Sequence, residues 1–158
     1  MIKYNEGIGS SLEVNAAESE LFQTQALYIQ ALYDIIVAKV NLDKALEFDP
    51  LSGKANYGMA FYYEQVDEIK RAHEYYQRAI DLSSVDPDIL NSYGAFLCKQ
   101  GDYKQAKTYF LKAVDDKRYV STAQTYENLA ICAQNQNLIP DAIAYFKSAL
   151  NHQPTRSS

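Results

Sequence analysis

A short pattern recurs along the chain: an alanine, a larger apolar residue four positions on, and a second alanine three positions later. It reads Ala38–Leu42–Ala45, Ala72–Tyr76–Ala79, Ala106–Phe110–Ala113 and Ala142–Phe146–Ala149. The leading alanines are separated by 34, 34 and 36 residues. Spacing of i, i+4 and i+7 puts the three side chains on one helical face. A period near 34 leaves room for two helices and two short turns per unit. Such a unit buries its apolar face only against its neighbours, so the chain is built by stacking and not by closure around one core.

Counting back from each alanine gives a second, matching helix: Phe22, Gln25, Ala26 and Ile29; Asn56, Met59, Ala60 and Tyr63; Leu90, Tyr93, Gly94 and Leu97; Tyr126, Leu129, Ala130 and Ala133. Together the halves spell the tetratricopeptide pattern W-x2-L-G-x2-Y…A-x3-F…P. The sequence therefore predicts an all-α, right-handed superhelical solenoid of helix-turn-helix hairpins. The repeats are 19–52, 53–86, 87–120 and 123–156, preceded by a flexible segment, 1–18. Pro50 and Pro154 end the first and last repeats, and Ser84 and Arg118 hold that place in the middle two. Gly94 shares its place with Ala26, Ala60 and Ala130, which marks it as a packing glycine. Gly101 falls where the first helix of its repeat must turn into the second, a place that favours a left-handed residue. Pro140 falls at the first position of the last helix, where a missing N–H costs nothing.

The chemistry in the side chains excludes several function classes. The formal net charge is −5 with no Lys/Arg cluster, so nucleic acid is not an expected partner. No apolar run approaches the ~18 residues of a membrane-spanning helix. His73 and His152 lack partners at metal-ligand spacing and are read as solvated. No catalytic residue, metal site, cofactor or small-molecule substrate is predicted, and the chain is read as a protein-binding scaffold and not an enzyme. Cys98 and Cys132 occupy places twelve and ten of their repeats, which point in different directions on a 3.6-residue helix. They are expected to be unbonded thiols.

Places five, six, nine, twelve and thirteen of each first helix project away from the packing inside the repeat, onto the concave face of the solenoid. The candidate groove residues there are Tyr57, Phe61, Asn91, Ala95, Cys98, Asn128 and Ile131, with Glu64, Glu127 and Gln134 beside them. Aromatic, aliphatic and amide groups with little charge suit a partner segment with apolar anchors. A clamp for a C-terminal carboxylate needs Lys/Arg and Asn at places five, nine, two and six of successive repeats, and among the residues there only Lys54 is basic. On the last helix Ile143, Phe146 and Leu150 form an apolar stripe, which predicts self-association through the C-terminal helix.

The wording of the last two repeats is more specific. "DILNSYGAFLCKQGDYKQA" (88–106), the lengthened "KAVDDKRYVSTAQTYENLAICA" (112–133) and "DAIAYFKSALNHQP" (141–154) resemble type IV pilus biogenesis and stability proteins of the PilW/PilF type. The resemblance covers roughly 27 to 154. It implies a tetratricopeptide pilotin: a lipoprotein on the periplasmic face of the outer membrane that binds secretin subunits and promotes their assembly. The chain shows neither a signal peptide nor a lipidation cysteine, and the cytoplasm is the alternative compartment. The alternative function is a generic repeat adaptor without a carboxylate clamp.

Overall fold

The computed structural model describes residues 5–83 and 86–152, with side chains from residue 13 onward. Seven helices and no strand occur among the described residues. Residues 1–4, 84–85 and 153–158, which include Ser84 and Pro154, lie outside them.

From Lys44 onward the chain is a compact unit containing three helical hairpins. The first pairs α2 (Gly53–Gln65) with α3 (Ile69–Leu82). The second pairs α4 (Pro87–Lys99) with α5 (Tyr103–Val114), and the third pairs α6 (Thr122–Asn135) with α7 (Ile139–His152). This is the tetratricopeptide solenoid that the period demands. Its core is made of the pattern residues: Met59, Ala60, Ala72 and Tyr76, then Leu90, Tyr93, Ala106 and Phe110, then Leu129, Ala130, Ala142 and Ala149 are all buried. Helix starts are set by polar caps. Ser52 accepts from the Ala55 N–H, Asp86 from Asp88 ahead of Pro87, and Asp102 from Gln105.

The three turns inside the hairpins share one geometry. Asp67, Gly101 and Asn137 have φ of 60°, 81° and 58°. In each, the next residue's N–H reaches back to a carbonyl of the preceding helix: Glu68 to Tyr63, Asp102 to Leu97, Leu138 to Ala133, at 2.9–3.0 Å. Asp, Gly and Asn are the residue types that accept a left-handed backbone at low cost. A Cβ on Gly101 would meet nothing within 4 Å, so its conformation and not its size is what the turn needs. Gly94 is the opposite case. A Cβ there would lie 2.9 Å from Cδ1 of Phe110, so the missing methyl is what lets α4 close on α5.

The first predicted hairpin, 19–52, is not formed. Residues 19–48 belong instead to α1 (Asn5–Phe48), a single 44-residue helix that also takes in residues 5–18 of the segment expected to be flexible. The reason lies at one position. Counting one period back from Asp67 places Tyr33 where the left-handed turn residue belongs, and a bulky aromatic there is a steric outlier. Without an acceptable turn residue the helix runs on. Most of α1, up to Asp43, forms a unit of its own.

Candidate inner-face site

The first helices of the three hairpins, α2, α4 and α6, carry the candidate groove residues. Tyr57, Asn91, Ala95, Cys98 and Asn128 are half-buried. Phe61 and Ile131 are 52% and 47% exposed, whereas Ala60 and Ala130 beside them in sequence are fully buried. Neither Phe61 nor Ile131 is therefore a core residue.

Two side-chain pairs repeat along this face. The Tyr57 and Ser92 hydroxyls lie 2.9 Å apart, and the Asn128 amide donates to Oδ1 of Asn91 at 3.1 Å. Both pairs join place five of one repeat to place six of the next, forming a polar ladder that fixes the spacing of neighbouring helices. The Asn91–Asn128 pair leaves the second N–H of Asn128 and the amide group of Asn91 as further hydrogen-bonding capacity.

Beside this ladder a cleft of about 170 Å³ is lined by Ala95, Cys98, Lys99, Phe110, Asn128, Ile131 and Asn135. The structure thus brings Ala95, Cys98, Asn128 and Ile131 together around one cleft. Tyr57 and Phe61 lie on α2, outside its lining. Sequence reasoning missed Lys99 and Asn135, although both occupy place thirteen and were open to the same counting. The Lys99 ammonium is paired with Glu64, whose other oxygen accepts from the Tyr76 hydroxyl at 2.8 Å. Burial and the adjacent Glu64 push the Tyr76 hydroxyl far above its ordinary range. Lys99 and Glu64 thus neutralise each other at this edge.

Cys98 and Cys132 form a disulfide, which overturns the expectation of free thiols; their Cα atoms are 5.7 Å apart. Places twelve and ten differ by roughly 200° around a helix at 100° per residue. Two neighbouring helices lying side by side meet through opposite faces, so this difference is what lets the thiols face each other. Direction on a single helix was the wrong criterion. The bond ties α4 to α6 beside the cleft and closes a loop of sequence separation 34.

His152 is exposed, as expected, whereas His73 is half-buried. Nδ1 of His73 lies 3.0 Å from the Tyr93 hydroxyl, and His152 stacks on Tyr126 with ring centroids 5.4 Å apart. Burial pushes the Tyr93 hydroxyl up to about 12. On α7, Ile143, Phe146 and Leu150 are all exposed. Among the described residues no group of three or more His, Cys, Asp or Glu could hold a metal ion, and no helix is long and apolar enough to cross a membrane.

Comparison with known proteins agrees with this architecture. Residues 87–155 match a tetratricopeptide repeat family, and residues 54–117 match the YpiA-like C-terminal tetratricopeptide repeats. The chain is 37% identical over 97 residues to an uncharacterized protein of Haemophilus influenzae, covering 61% of this chain and 54% of that protein. It is 35% identical over 113 residues to the type IV pilus assembly protein PilF of Pseudomonas aeruginosa, covering 72% of this chain and 45% of that one. The chain thus spans about half the length of these relatives. The solved structure of Pseudomonas aeruginosa PilF superposes with a TM-score of 0.72 at 32% identity, over 88% of this chain and 62% of that one. PilW, a type IV pilus biogenesis factor, superposes equally well at 28% identity, over 83% and 60%. The protein is a tetratricopeptide-repeat scaffold related to the PilF/PilW type IV pilus biogenesis proteins.

Proposed function

We propose that this protein acts in type IV pilus biogenesis by binding a segment of an outer-membrane secretin subunit along the inner face of α2, α4 and α6. The observation that carries the reading is the exposure of Phe61 and Ile131 on the face that also bears the amide ladder. Two apolar side chains standing clear of a fully packed core are anchors for a partner, and Asn91 and Asn128 can hold that partner's backbone between them. Relatedness to PilF and PilW supplies the biological setting.

The cysteines support a compartment for this reading. Structural disulfides persist in oxidising environments, the bacterial periplasm among them. The Cys98–Cys132 bond therefore supports an oxidising compartment such as the periplasm over the cytoplasm. No step of this function requires chemistry on the partner. The scaffold positions it.

The test is titration of the purified protein with soluble secretin segments. Phe61→Ala and Ile131→Ala should each weaken binding by about 1–2 kcal/mol, roughly 5- to 30-fold, with the thermal melt nearly unchanged. Unchanged binding by both variants, or no binding of any secretin segment by the wild type, contradicts the reading and leaves the generic repeat adaptor.

A further inference from the structure

Helix α1 carries an apolar seam that the failed turn at Tyr33 makes continuous. Phe22, Ala26, Ile29, Tyr33, Ile36 and Val40 follow one another at alternating steps of four and three residues. At 100° per residue they lie on one side of the helix. This is the 3–4 alternation of a coiled-coil seam, sustained for ~27 Å. The large members are left in solvent: Phe22 is 69% exposed, and Tyr33 and Ile36 are 62% exposed.

We propose that this seam pairs with the same seam of a second copy in an antiparallel coiled coil. The geometry favours that partner. Antiparallel pairing about position 31 sets Phe22 against Val40, Ala26 against Ile36, and Ile29 against Tyr33, so that a smaller residue faces a larger one in each layer. Charge selects the direction. Glu13, Glu18 and Glu20 crowd the first half of the helix with no basic residue among them, whereas in the second half Lys39, which is ion-paired with Asp43, and Lys44 offset most of the charge of Asp34, Asp43 and Glu47. A parallel pair would align the three glutamates of both copies. The antiparallel pair puts Glu18 at the level of Lys44 instead. Five large seam residues, with Leu32 and Val37 flanking them, give roughly 80–100 Å² of side chain each. Doubled by the two-fold axis this is about 1,200 Å², the lower end of stable interfaces, so the dimer is reversible and concentration-dependent.

Sedimentation equilibrium of the full chain tests the proposal, with a dimer expected to build up across the micromolar range. Ile36→Glu should raise the dissociation constant at least tenfold while the far-ultraviolet spectrum and the melt of the hairpins stay as in the wild type. Two controls should leave the dimer intact: Leu27→Glu, on the opposite side of the same helix, and Leu150→Glu, on α7. Direction is read with a short bismaleimide. Because Cys98 and Cys132 are bonded, only a new thiol reacts. A mixture of Phe22→Cys and Val40→Cys proteins should cross-link, and neither protein alone should do so. A wild type that stays monomeric at 100 micromolar-scale concentrations overturns the proposal. So does dissociation by Leu27→Glu or Leu150→Glu equal to that by Ile36→Glu, or cross-linking by Phe22→Cys alone.

Discussion

Replacing Gly94 by alanine sets two effects of similar size against each other, and the structure decides between them. In a helix interior alanine is favoured over glycine by about 0.8–1 kcal/mol, and Gly94 lies inside α4. Against this, the added Cβ would stand 2.9, 3.0 and 3.1 Å from Cδ1, Cε1 and Cγ of Phe110, well inside the ~3.5–4.0 Å of normal carbon contact. The ring has little room to give, since Phe110 is only 1% exposed. Overpacking costs about 1–3 kcal/mol, and three ring atoms of one buried side chain inside about 3.1 Å place this case in the upper half of that range, so the net loss is about 1–2 kcal/mol. For a chain of this size that lowers the melting temperature by about 2–8 °C. Thermal unfolding followed by circular dichroism reads the shift. A double-mutant cycle with Phe110→Leu identifies its origin, because shrinking the ring should relieve the clash and return about 0.5–1 kcal/mol of coupling. The equivalent places hold Ala60 and Ala130, so alanine fits the repeat in general. A Gly94→Ala protein as stable as the wild type, or more so, would refute the reasoning that the α4–α5 pair closes specifically on Phe110.

Other perturbations have equally definite outcomes. Removing the disulfide by Cys98→Ala together with Cys132→Ala should cost about 3–4 kcal/mol from the loop it closes, and dithiothreitol should reproduce the lower melt in the wild type. Gly101→Ala should cost about 1–2 kcal/mol through its left-handed backbone alone, with Gly101→Asn milder, as ranked by chemical denaturation. Stability should be flat with respect to the tyrosines below pH 10 and fall above it. Burial holds the Tyr76 and Tyr93 protons in the folded state after the unfolded chain has begun to release its own, so each phenol lowers stability by about 1.4 kcal/mol per pH unit in that window. Melts at pH 8, 10 and 11.5 check this, and a constant melting temperature across all three would contradict it.

The fold was legible because its determinants are local and periodic. Alanines at a 34-residue spacing, paired with apolar residues at helical steps, specify hairpins wherever the turn between the helices can form. That condition is met at Asp67, Gly101 and Asn137 and fails at Tyr33. The signal for the unbroken helix was therefore present in one residue, but reading it required the φ values of the other turns. The disulfide was hidden for a different reason. Whether two side chains on neighbouring helices meet depends on how the helices lie against each other, and a wheel drawn for either helix alone carries no such information. For the candidate site, counting places in the repeat located the inner face and its exposed Phe61 and Ile131. The ladder from place five to place six, and the matching of Lys99 by Glu64, emerge only from the packing of consecutive repeats.

The most direct test of the inner-face binding claim is photo-cross-linking in the native cell envelope. A photoreactive amino acid would replace Phe61, Ile131 or, as a control on the exposed side of α5, Lys104. The account predicts adducts containing secretin peptides from positions 61 and 131 and none from 104. Secretin adducts from 104 alone, equal adducts from all three positions, or none from 61 and 131 would contradict it.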